Sequence, residues 1–201
     1  MATDRRQQLT LSADLALELW QPLFEPAEAD ALLTALLDGL PWQQPRLRLY
    51  GREHPIPRLQ SWHGDPDAHY RYSGLPMTPL PWTPALTRIR EHLSELTGHR
   101  FNSVLANLYR DGRDSMGWHA DDEPELGPTP WVASVSFGVT RDFSLRRKGQ
   151  TRTHSRIPLV HNSLLLMPPE MQAHWQHALP KRAKVDGARV NLTFRKIGSD
   201  V

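Results

Sequence analysis

The C-terminal half of the chain is a series of short segments in which apolar and polar residues alternate. From Phe101 onward seven such segments are separated by turn residues, and their sequences are SVLANLY, WVASVSFG, DFSLRR, RIPLV, SLLLMP, AHWQHAL and RVNLTFRK. Alternation with a period of two places successive side chains on opposite faces of a strand. Several short strands in about 100 residues predict a β-sandwich or β-barrel for residues 101–197.

Two helices are predicted in the N-terminal half. The first runs from Pro26 to Asp38 and is followed by Gly39, and the second runs from Pro84 to Thr97, with Thr83 as its cap and Gly98 at its end. Their apolar stripes have helical spacing and comprise Leu32, Leu33, Leu36 and Leu37, then Leu86, Ile89, Leu93 and Leu96. Residues 41–82 are rich in proline and aromatic residues, which predicts short strands and ordered loops. The pattern of residues 1–19 does not determine whether they pack against a core.

The composition excludes several classes of protein. The chain has 0 Cys, which rules out disulfides, thiolate metal sites and a cysteine nucleophile. No apolar run reaches the roughly 18 residues that a transmembrane helix needs, and the mean hydropathy is −0.54. Acidic residues interrupt the apolar part of the N-terminus, so we expect no secretory signal. These features predict a globular, cytoplasmic protein without membrane contact.

Acidic and basic residues are unevenly distributed along the chain. Residues 1–140 contain 12 Arg and Lys against 18 Asp and Glu, whereas residues 141–198 contain 12 against 3. Only 4 of the 24 basic residues are Lys, and arginine is suited to bidentate contacts with carboxylate or phosphate. The later part of the chain is therefore either a solvated basic face or an anion-binding surface.

His119 and Asp121 offer an imidazole and a carboxylate two residues apart. On an extended backbone both side chains leave the same face, and a histidine from another strand would complete a three-ligand site. Such a site leaves positions open on the metal, as in non-haem Fe(II) oxygenases. The spacing does not choose the third ligand among His154, His161, His174 and His177.

The last predicted strand places its charged and apolar residues on opposite faces. One face carries Arg189, Asn191, Thr193 and Arg195, and the other carries Val190, Leu192 and Phe194. Two guanidinium groups on one face could bind the two ends of a small dicarboxylate, with a solvated edge strand as the alternative. Asn107 and Tyr109 also share a face, either as further donors to that anion or as an interior polar pair.

In this order, the motifs resemble those of the AlkB family of Fe(II)- and 2-oxoglutarate-dependent dioxygenases. The resemblance covers residues 20–197 and is carried by NLYRDG, WHADDE, ASVSFG, RDFSLR, HALP and RVNLTFRK. It implies a mainly β, α+β fold with a double-stranded β-helix (jelly-roll) core at residues 101–201. Residues 1–100 would form an N-terminal extension and nucleotide-recognition lid, and both parts would make one compact domain.

The resemblance also implies the residues that hold Fe(II) and 2-oxoglutarate. His119, Asp121 and His177 would bind the metal, because His177 matches the family's distal ligand and His174 does not. Two arginines would clamp the carboxylates of 2-oxoglutarate with the help of four polar residues. This set comprises Arg189 and Arg195, assisted by Asn107, Tyr109, Asn191 and Thr193.

The segment from Pro57 to Gly74 resembles the family's substrate lid. By that resemblance Tyr72 and His119 would sandwich an extruded base, because a methyl group inside a duplex is out of reach until its nucleotide is flipped. Three further residues would border the base or support the lid: Tyr70, Asp122 and Glu123.

The segment RLYGREHPIPR predicts a hairpin with Tyr50 near its tip. In family members that act on duplex DNA, a bulky residue occupies the matching position. Tyr50 would then fill the gap left by a flipped base, and Arg58 would contact the nucleic-acid backbone. An ordinary hairpin with an exposed aromatic residue is the alternative.

The resemblance implies a monomeric enzyme that uses Fe(II), 2-oxoglutarate and O2 to demethylate DNA. Its substrates would be N1-methyladenine and N3-methylcytosine in single- or double-stranded nucleic acid, and its products would include formaldehyde and succinate. The alternatives are the same chemistry on RNA or on a protein side chain, a non-catalytic nucleic-acid-binding jelly roll, and a zinc hydrolase with the same ligands.

Overall fold

The computed structural model describes residues 5–49, 51–68, 70–72 and 75–198, and it describes the backbone alone for residues 47, 49, 70–72 and 75–77. In chain order the strands are β1 (Arg6–Ser12), β2 (Leu15–Trp20), β3 (Arg46–Leu49), β4 (Arg52–Pro55), β5 (Leu59–Gly64), β6 (Tyr70–Tyr72), β7 (Leu75–Met77), β8 (Ser103–Tyr109), β9 (Met116–His119), β10 (Val132–Gly138), β11 (Arg141–Arg147), β12 (Ser155–Leu159), β13 (Ser163–Met167), β14 (Trp175–Leu179) and β15 (Arg189–Arg195). The helices are α1 (Pro26–Gly39), α2 (Pro84–Thr97) and α3 (Pro169–His174), with a 3-10 turn at Pro124–Leu126. None of the helices in these ranges is long and apolar enough to cross a membrane.

Two antiparallel sheets face each other in the fold. The larger has seven strands in the order β1-β2-β13-β10-β15-β8-β5, and the smaller has four in the order β12-β11-β14-β9. Consecutive strands of the chain are distributed over both sheets, which is the jelly-roll arrangement. The predicted fold class is confirmed.

The larger sheet takes strands from both halves of the chain. β2 pairs with β13 and aligns Leu19 with Leu165, and β5 pairs with β8 and aligns Gln60 with Asn107. The sequence analysis predicted no strand in residues 1–19, whereas β1 and the beginning of β2 lie there. Leu15, Leu17 and Leu19 are buried between the sheets, because the period of two places them on one face of β2.

Helices α1 and α2 cover the face of the larger sheet that points away from the smaller one. The predicted bounds of α2 are confirmed: the Thr83 side chain accepts a hydrogen bond from the backbone N–H of Leu86, and Gly98 ends the helix at a φ of 74°. One predicted core residue is wrong, since Leu96 is 38% exposed. At about 100° per residue, Leu96 lies about 80° around the helix from Leu86 and therefore at the margin of the apolar stripe.

The apolar face of β15 belongs to the helix side of the sheet. Val190, Leu192 and Phe194 are fully buried in a cluster with the helices. A second cluster, which includes Leu145 and Trp175, lies between the sheets. Burial of each large apolar side chain contributes about 1.5–3 kcal/mol to folding stability. The three apolar side chains of β15 therefore fix the face of this strand that packs against the helices. The polar face of β15 consequently points toward the smaller sheet.

Two short hairpins stand on either side of β5 in the chain. β3 pairs with β4 and aligns Leu49 with Arg52, and β6 pairs with β7. The segment that carries β6 and β7 is anchored at its base, because Asp65 accepts hydrogen bonds from Trp82 at 2.7 Å and from Arg90 of α2 at 3.1 Å. The predicted hairpin is confirmed by the pairing of β3 with β4, and the contact of Asp65 with Arg90 joins the lid segment to α2.

The segment AHWQHAL is divided between two elements, although the sequence analysis predicted one strand. Helix α3 ends at His174, and β14 begins at Trp175. Pro169 stands at the first turn of α3, where its missing N–H leaves no intrahelical bond unmade. His174 and His177 therefore belong to different elements and not to one strand.

Candidate active site

His119, Asp121 and His177 lie together at the edge of the smaller sheet. The pairing of β14 with β9 aligns His177 with His119, and Asp121 follows two residues after the end of β9. One potential ligand atom from each residue lies within 4.8 Å of the other two, and Asp121 Oδ2 is 3.7 Å from His177 Nε2. The strand register thus brings one of the four candidate histidines to the His119–Asp121 pair.

The other three candidate histidines have different surroundings. His174 is exposed at the end of α3. The His154 ring meets the Trp175 ring edge-on at 4.9 Å, and His161 Nδ1 accepts a hydrogen bond from the backbone N–H of Gly138 at 3.0 Å. These contacts fit packing and structural hydrogen bonding, and none of the three joins the cluster of ligand atoms.

The protonation states of the cluster suit metal binding. Burial opposes ionisation of Asp121, but the Arg195 guanidinium outweighs it, together with two nearby imidazoles, and holds the pKa of the carboxyl well below its ordinary value. Burial lowers the pKa of His177 to about 3, so its imidazole is neutral at neutral pH. Metals bind the carboxylate and the neutral imidazole, which are the forms present here.

The hydrogen bonds of Asp121 and His119 leave one atom of each group for a metal. Asp121 Oδ1 accepts a hydrogen bond from Arg195, whereas its Oδ2 is buried without a partner in the described part of the chain. His119 Nδ1 donates to the carbonyl of Gly117 at 2.9 Å, which leaves Nε2 as its ligand atom. Two imidazoles and one carboxylate leave other metal positions open, and this donor set fits Fe(II).

A pocket lies between the sheets beside these ligands. The polar residues of β15 face it, as their alternation predicts, and side chains from β8 and β10 extend the polar wall. This wall comprises Asn107, Tyr109, Ser134, Arg189, Asn191, Thr193 and Arg195. Apolar residues complete the lining, among them Leu105, Met116, Phe143, Met167 and Leu179. The cavity therefore combines two guanidinium groups with walls that exclude water.

Arg189 is a buried cation without an anionic partner among the residues that the structure describes. It is 2% exposed, its Nη2 donates to Ser136 Oγ at 2.8 Å, and its Nε has no partner within the described ranges. Its guanidinium carbon lies 5.4 Å from the centre of the Tyr109 ring. Burial lowers its pKa to about 10, so it remains charged at neutral pH. Because an uncompensated buried charge is costly, this geometry indicates an anionic ligand in the cavity.

The second arginine of β15 has a carboxylate partner. Arg195 forms an ion pair with Asp121 and thereby connects the cavity with the candidate metal ligands. Between the two arginines, Asn191 Nδ2 donates to Ser134 Oγ at 2.8 Å, and the Thr193 hydroxyl donates to Asn191 Oδ1 at 3.3 Å. Since Asp121 already neutralises Arg195, the other arginine is the stronger candidate for binding an anion.

Two serines that support this wall were missed by the sequence analysis. Ser134 and Ser136 of β10 accept the hydrogen bonds from Asn191 and Arg189, and β10 pairs with β15 along its length. The signal was present in the sequence, because the two serines share one face of the predicted strand VASVSFG. They match the polar face of β15 across the sheet.

Asn107 and Tyr109 face the cavity from β8, and Arg58 lies behind Asn107. Arg58 Nε donates to Asn107 Oδ1 at 2.8 Å, and Arg58 is only 3% exposed. A contact between Arg58 and a nucleic-acid backbone, as expected from the sequence, does not fit this burial. Arg58 directly precedes β5, and its guanidinium packs against the cavity wall and is not presented at the protein surface.

A further residue missed by the sequence analysis supports Asp121. Gln172 of α3 is 1% exposed, and its Oε1 accepts a hydrogen bond from the backbone N–H of Asp121 at 2.9 Å. A six-residue helix has no apolar period that would have predicted it. Gln172 holds the backbone that carries one candidate ligand.

Replacement of Gln172 with leucine is expected to weaken metal binding about tenfold, because hydrogen-bond partners of ligand segments typically change metal affinity by 10–100-fold. Calorimetric titration with Mn(II) in the absence of O2 measures the effect. Glu170→Ala, an exposed change on the same helix, serves as the control and should bind like the wild type. Equal affinities of the Gln172→Leu variant and the wild type would limit Gln172 to a packing role.

The aromatic residues expected to contact the substrate can be followed only through the backbone. Tyr50 lies outside the described residues. Tyr70 and Tyr72 are the first and last residues of β6, whose partner is β7. Their assignment as base-contacting residues stays a prediction.

The two acidic residues after Asp121 lie beside the metal cluster. Asp122 is exposed and pairs with Lys148 at 2.7 Å. Glu123 is half-buried and occupies the residue before the 3-10 turn at Pro124–Leu126, without a side-chain cap. Both residues lie in the loop that follows β9, next in the chain to one candidate ligand.

Comparison with known proteins agrees with this site. The model of the 2OG-Fe(II) oxygenase superfamily matches residues 16–195. The chain is 46% identical over 185 residues to human DNA oxidative demethylase ALKBH2, an alignment that covers 87% of this chain and 71% of the relative. It is 41% identical over 191 residues to human alpha-ketoglutarate-dependent dioxygenase alkB homolog 3, which covers 90% of this chain and 66% of that protein.

Solved structures share the fold at low sequence identity. The structure of OsALKBH1 has a TM-score of 0.61 and 17% identity, covering 94% of this chain and 100% of the other. A 2OG-Fe(II) oxygenase family oxidoreductase from Burkholderia pseudomallei has a TM-score of 0.57 and 16% identity, covering 90% and 84%. These two likenesses concern the fold alone.

Proposed function

The chain belongs to the AlkB family of the 2OG-Fe(II) oxygenase superfamily, and we propose that it demethylates N-alkylated bases in DNA. It is a 2-oxoglutarate-dependent dioxygenase, with Fe(II), 2-oxoglutarate and O2 as its cofactors. The proposed substrates are N1-methyladenine and N3-methylcytosine, and the proposed products are the restored base, formaldehyde and succinate. The activity that the name of human ALKBH2 states supports this substrate class.

One observation carries the proposal: the cation of Arg189, which has no anionic partner in the described part of the chain, and the three candidate metal ligands share one cavity. A dicarboxylate cosubstrate that reaches the metal requires a buried positive charge at the far end of its pocket. A zinc hydrolase with the same ligands has no need of that charge, and a binding module needs neither feature. The combination therefore favours the oxygenase over both alternatives.

We assign His119, Asp121 and His177 as the residues that hold Fe(II), which when bound supplies the oxidation of the N-methyl carbon by O2. Gly117 fixes the tautomer of His119 by accepting its Nδ1 proton. Arg195 occupies one oxygen of Asp121 and leaves the other free of hydrogen bonds within the described chain. These contacts prepare the ligand atoms before the metal arrives.

The cosubstrate assignment follows from the polar wall of the cavity. We assign the carboxylates of 2-oxoglutarate to Arg189 and Arg195, assisted by Asn107, Tyr109, Asn191 and Thr193. Each charge-assisted hydrogen bond contributes about 1.5–3 kcal/mol, and the apolar part of the lining keeps water from competing for the donors.

For the substrate, we assign Tyr72 and the imidazole of His119 as stacking partners of the flipped base, with Tyr70 at its border. Stacking of one base on an aromatic ring is worth about 1–3 kcal/mol. We assign Asp122 to favour a base that methylation has made cationic, because a carboxylate attracts positive charge. Glu123 would support the lid from the adjacent turn.

Exposed basic residues support a polyanionic substrate. Lys148, Arg152 and Arg156 are exposed in or beside the connection from β11 to β12, and Lys148 pairs with Asp122 at 2.7 Å. Such a patch predicts nucleic-acid binding that weakens as salt concentration rises.

We also propose that residues 1–100 and 101–201 form one compact domain and that the protein acts as a cytoplasmic monomer.

Replacement of Tyr50 with alanine is expected to reduce demethylation of duplex DNA about tenfold and to change demethylation of single strands less than about twofold. The physical reason is that an aromatic side chain at the hairpin tip can replace the stacking lost when a base leaves the duplex, a contribution of about 1–3 kcal/mol. Initial rates on matched single-stranded and duplex oligonucleotides measure the ratio. Equal losses on both strands would contradict the wedge role.

Mass spectrometry of methylated oligonucleotides tests the proposed function. Single-stranded DNA, duplex DNA and RNA are incubated with the protein, Fe(II), ascorbate and O2, with and without 2-oxoglutarate. We expect the loss of one methyl group from DNA only when 2-oxoglutarate is present. Succinate formation without demethylation of any DNA strand would indicate that the substrate is RNA or a protein. The absence of succinate would contradict the enzyme assignment.

A further inference from the structure

Arg58 is held in a rigid connector between the first hairpin and the larger sheet. Within this connector, the Ile56 N–H donates to the carbonyl of Pro45, and the carbonyl of Pro57 accepts from the Ser115 N–H, both at 2.9 Å. The next residue begins β5, which pairs with β8 along its length. The backbone on both sides of Arg58 is therefore fixed, which limits where its side chain can go.

The buried end of this side chain determines the orientation of a cavity-lining amide. Arg58 Nε donates to Asn107 Oδ1 at 2.8 Å, and a guanidinium has donors only. The amide of Asn107 must therefore present its oxygen to Arg58 and its Nδ2 to the other side. Asn107 lines the cavity, and its Nδ2 donates to no other group in the described part of the chain.

An asparagine amide can take either of two orientations that differ by a half-turn, and its hydrogen-bond partners decide between them. With its oxygen toward an anion, the amide of Asn107 would repel a carboxylate, and with Nδ2 toward it, the amide donates a hydrogen bond. The contact to Arg58 excludes the first orientation. Arg58 fixes the amide of Asn107 before any ligand enters. The ligand-free protein therefore already has this amide in the orientation that donates to an anion.

We propose that Arg58 is a positioning residue for 2-oxoglutarate, which holds Asn107 so that Nδ2 donates to a carboxylate of the cosubstrate. This inference rests on the proposed function, because it requires that the cavity binds 2-oxoglutarate. It gives a reason for burying a guanidinium that has no acidic partner among the described residues. It also links the hairpin that carries Tyr50 to the cosubstrate pocket through a single connector.

Three substitutions separate the hydrogen bond from the charge and the bulk of Arg58. Arg58→Gln keeps an N–H donor, because the glutamine amide nitrogen is attached where arginine has Nε, but it removes the charge. Arg58→Lys keeps the charge and has a methylene at that position. Arg58→Met fills the same space with neither. The comparison of Gln with Lys remains informative even if the Met variant does not fold.

Calorimetric titration of 2-oxoglutarate into Mn(II)-loaded protein, without O2 and without nucleic acid, measures the affinity directly. We expect affinity to fall about tenfold in Arg58→Met and Arg58→Lys and to stay within about threefold of the wild type in Arg58→Gln. Thermal unfolding of the ligand-free variants shows whether each is folded. Wild-type affinity in Arg58→Lys, or equal weakness in Arg58→Gln and Arg58→Lys, would overturn the positioning role.

The same experiment distinguishes this inference from the function on which it rests. If the wild type itself binds no 2-oxoglutarate, both the proposed function and the positioning role of Arg58 are contradicted. If the wild type binds and all three variants bind equally well, the function stands and the inference fails. A raised KM for oligonucleotide with unchanged 2-oxoglutarate affinity in all three variants would assign Arg58 to the substrate instead.

Discussion

An Asp121→Asn variant is expected to bind Mn(II) at least about a hundredfold more weakly than the wild type and to release no measurable formaldehyde. Even partners outside the ligand set change metal affinity 10–100-fold, and this change removes the charged ligand itself. It also leaves the buried Arg195 guanidinium without its counterion, which is expected to cost about 3–5 kcal/mol of folding stability. Titration with Mn(II) and thermal unfolding measure the two effects.

Asp142→Asn is the matched control for this prediction. Asp142 also accepts hydrogen bonds from an arginine, Arg182, at 2.8 and 3.1 Å, but both partners are about one-third exposed. Exposed pairs typically contribute about 0–1 kcal/mol, so this variant should keep metal binding and nearly all of its stability. An Asp121→Asn protein that is folded and binds Mn(II) like the wild type would place the metal elsewhere.

An Arg189→Met variant is expected to lose at least about a hundredfold in 2-oxoglutarate affinity while its ligand-free form is as stable as the wild type or more so. Two charge-assisted hydrogen bonds to one carboxylate account for this loss, since each contributes about 1.5–3 kcal/mol. The stability is retained because the substitution removes a buried charge that has no anionic partner within the described residues. Titration with 2-oxoglutarate and chemical denaturation measure the two quantities.

Arg141→Met provides the contrast for the second prediction. Arg141 is as deeply buried as Arg189, but it donates to the backbone carbonyls of Asp111, Asp114 and Pro180 at 2.8–3.1 Å. Its replacement leaves three backbone acceptors, one buried and two part-buried, without these donors and should lower stability by several kcal/mol, whereas 2-oxoglutarate affinity should change less than in Arg189→Met. If Arg189→Met is instead the less stable variant and still binds 2-oxoglutarate, Arg189 has a structural role.

Local patterns predicted the elements that depend on neighbours along the chain. Helix α2 was predictable at both ends, because Thr83 and Gly98 satisfy its terminal backbone groups through contacts within a few residues. The two faces of β15 were equally predictable, since alternation alone separates them. The same rule applied to Leu15, Leu17 and Leu19 would have predicted β2. The His119–Asp121 pair and the arginine strand carried the family resemblance for the same local reason.

What the amino-acid sequence by itself determined is thus the set of strands and helices with their polar faces and the types of ligand available. The tertiary structure decided which of those groups meet. Pairing of β14 with β9 brings His177, and not His174, to His119, and pairing of β5 with β8 turns Arg58 inward against Asn107. Gln172 reaches Asp121 from a helix 51 positions away in the chain. Such contacts depend on the register between distant strands, which the burial of the whole core selects and no local period encodes.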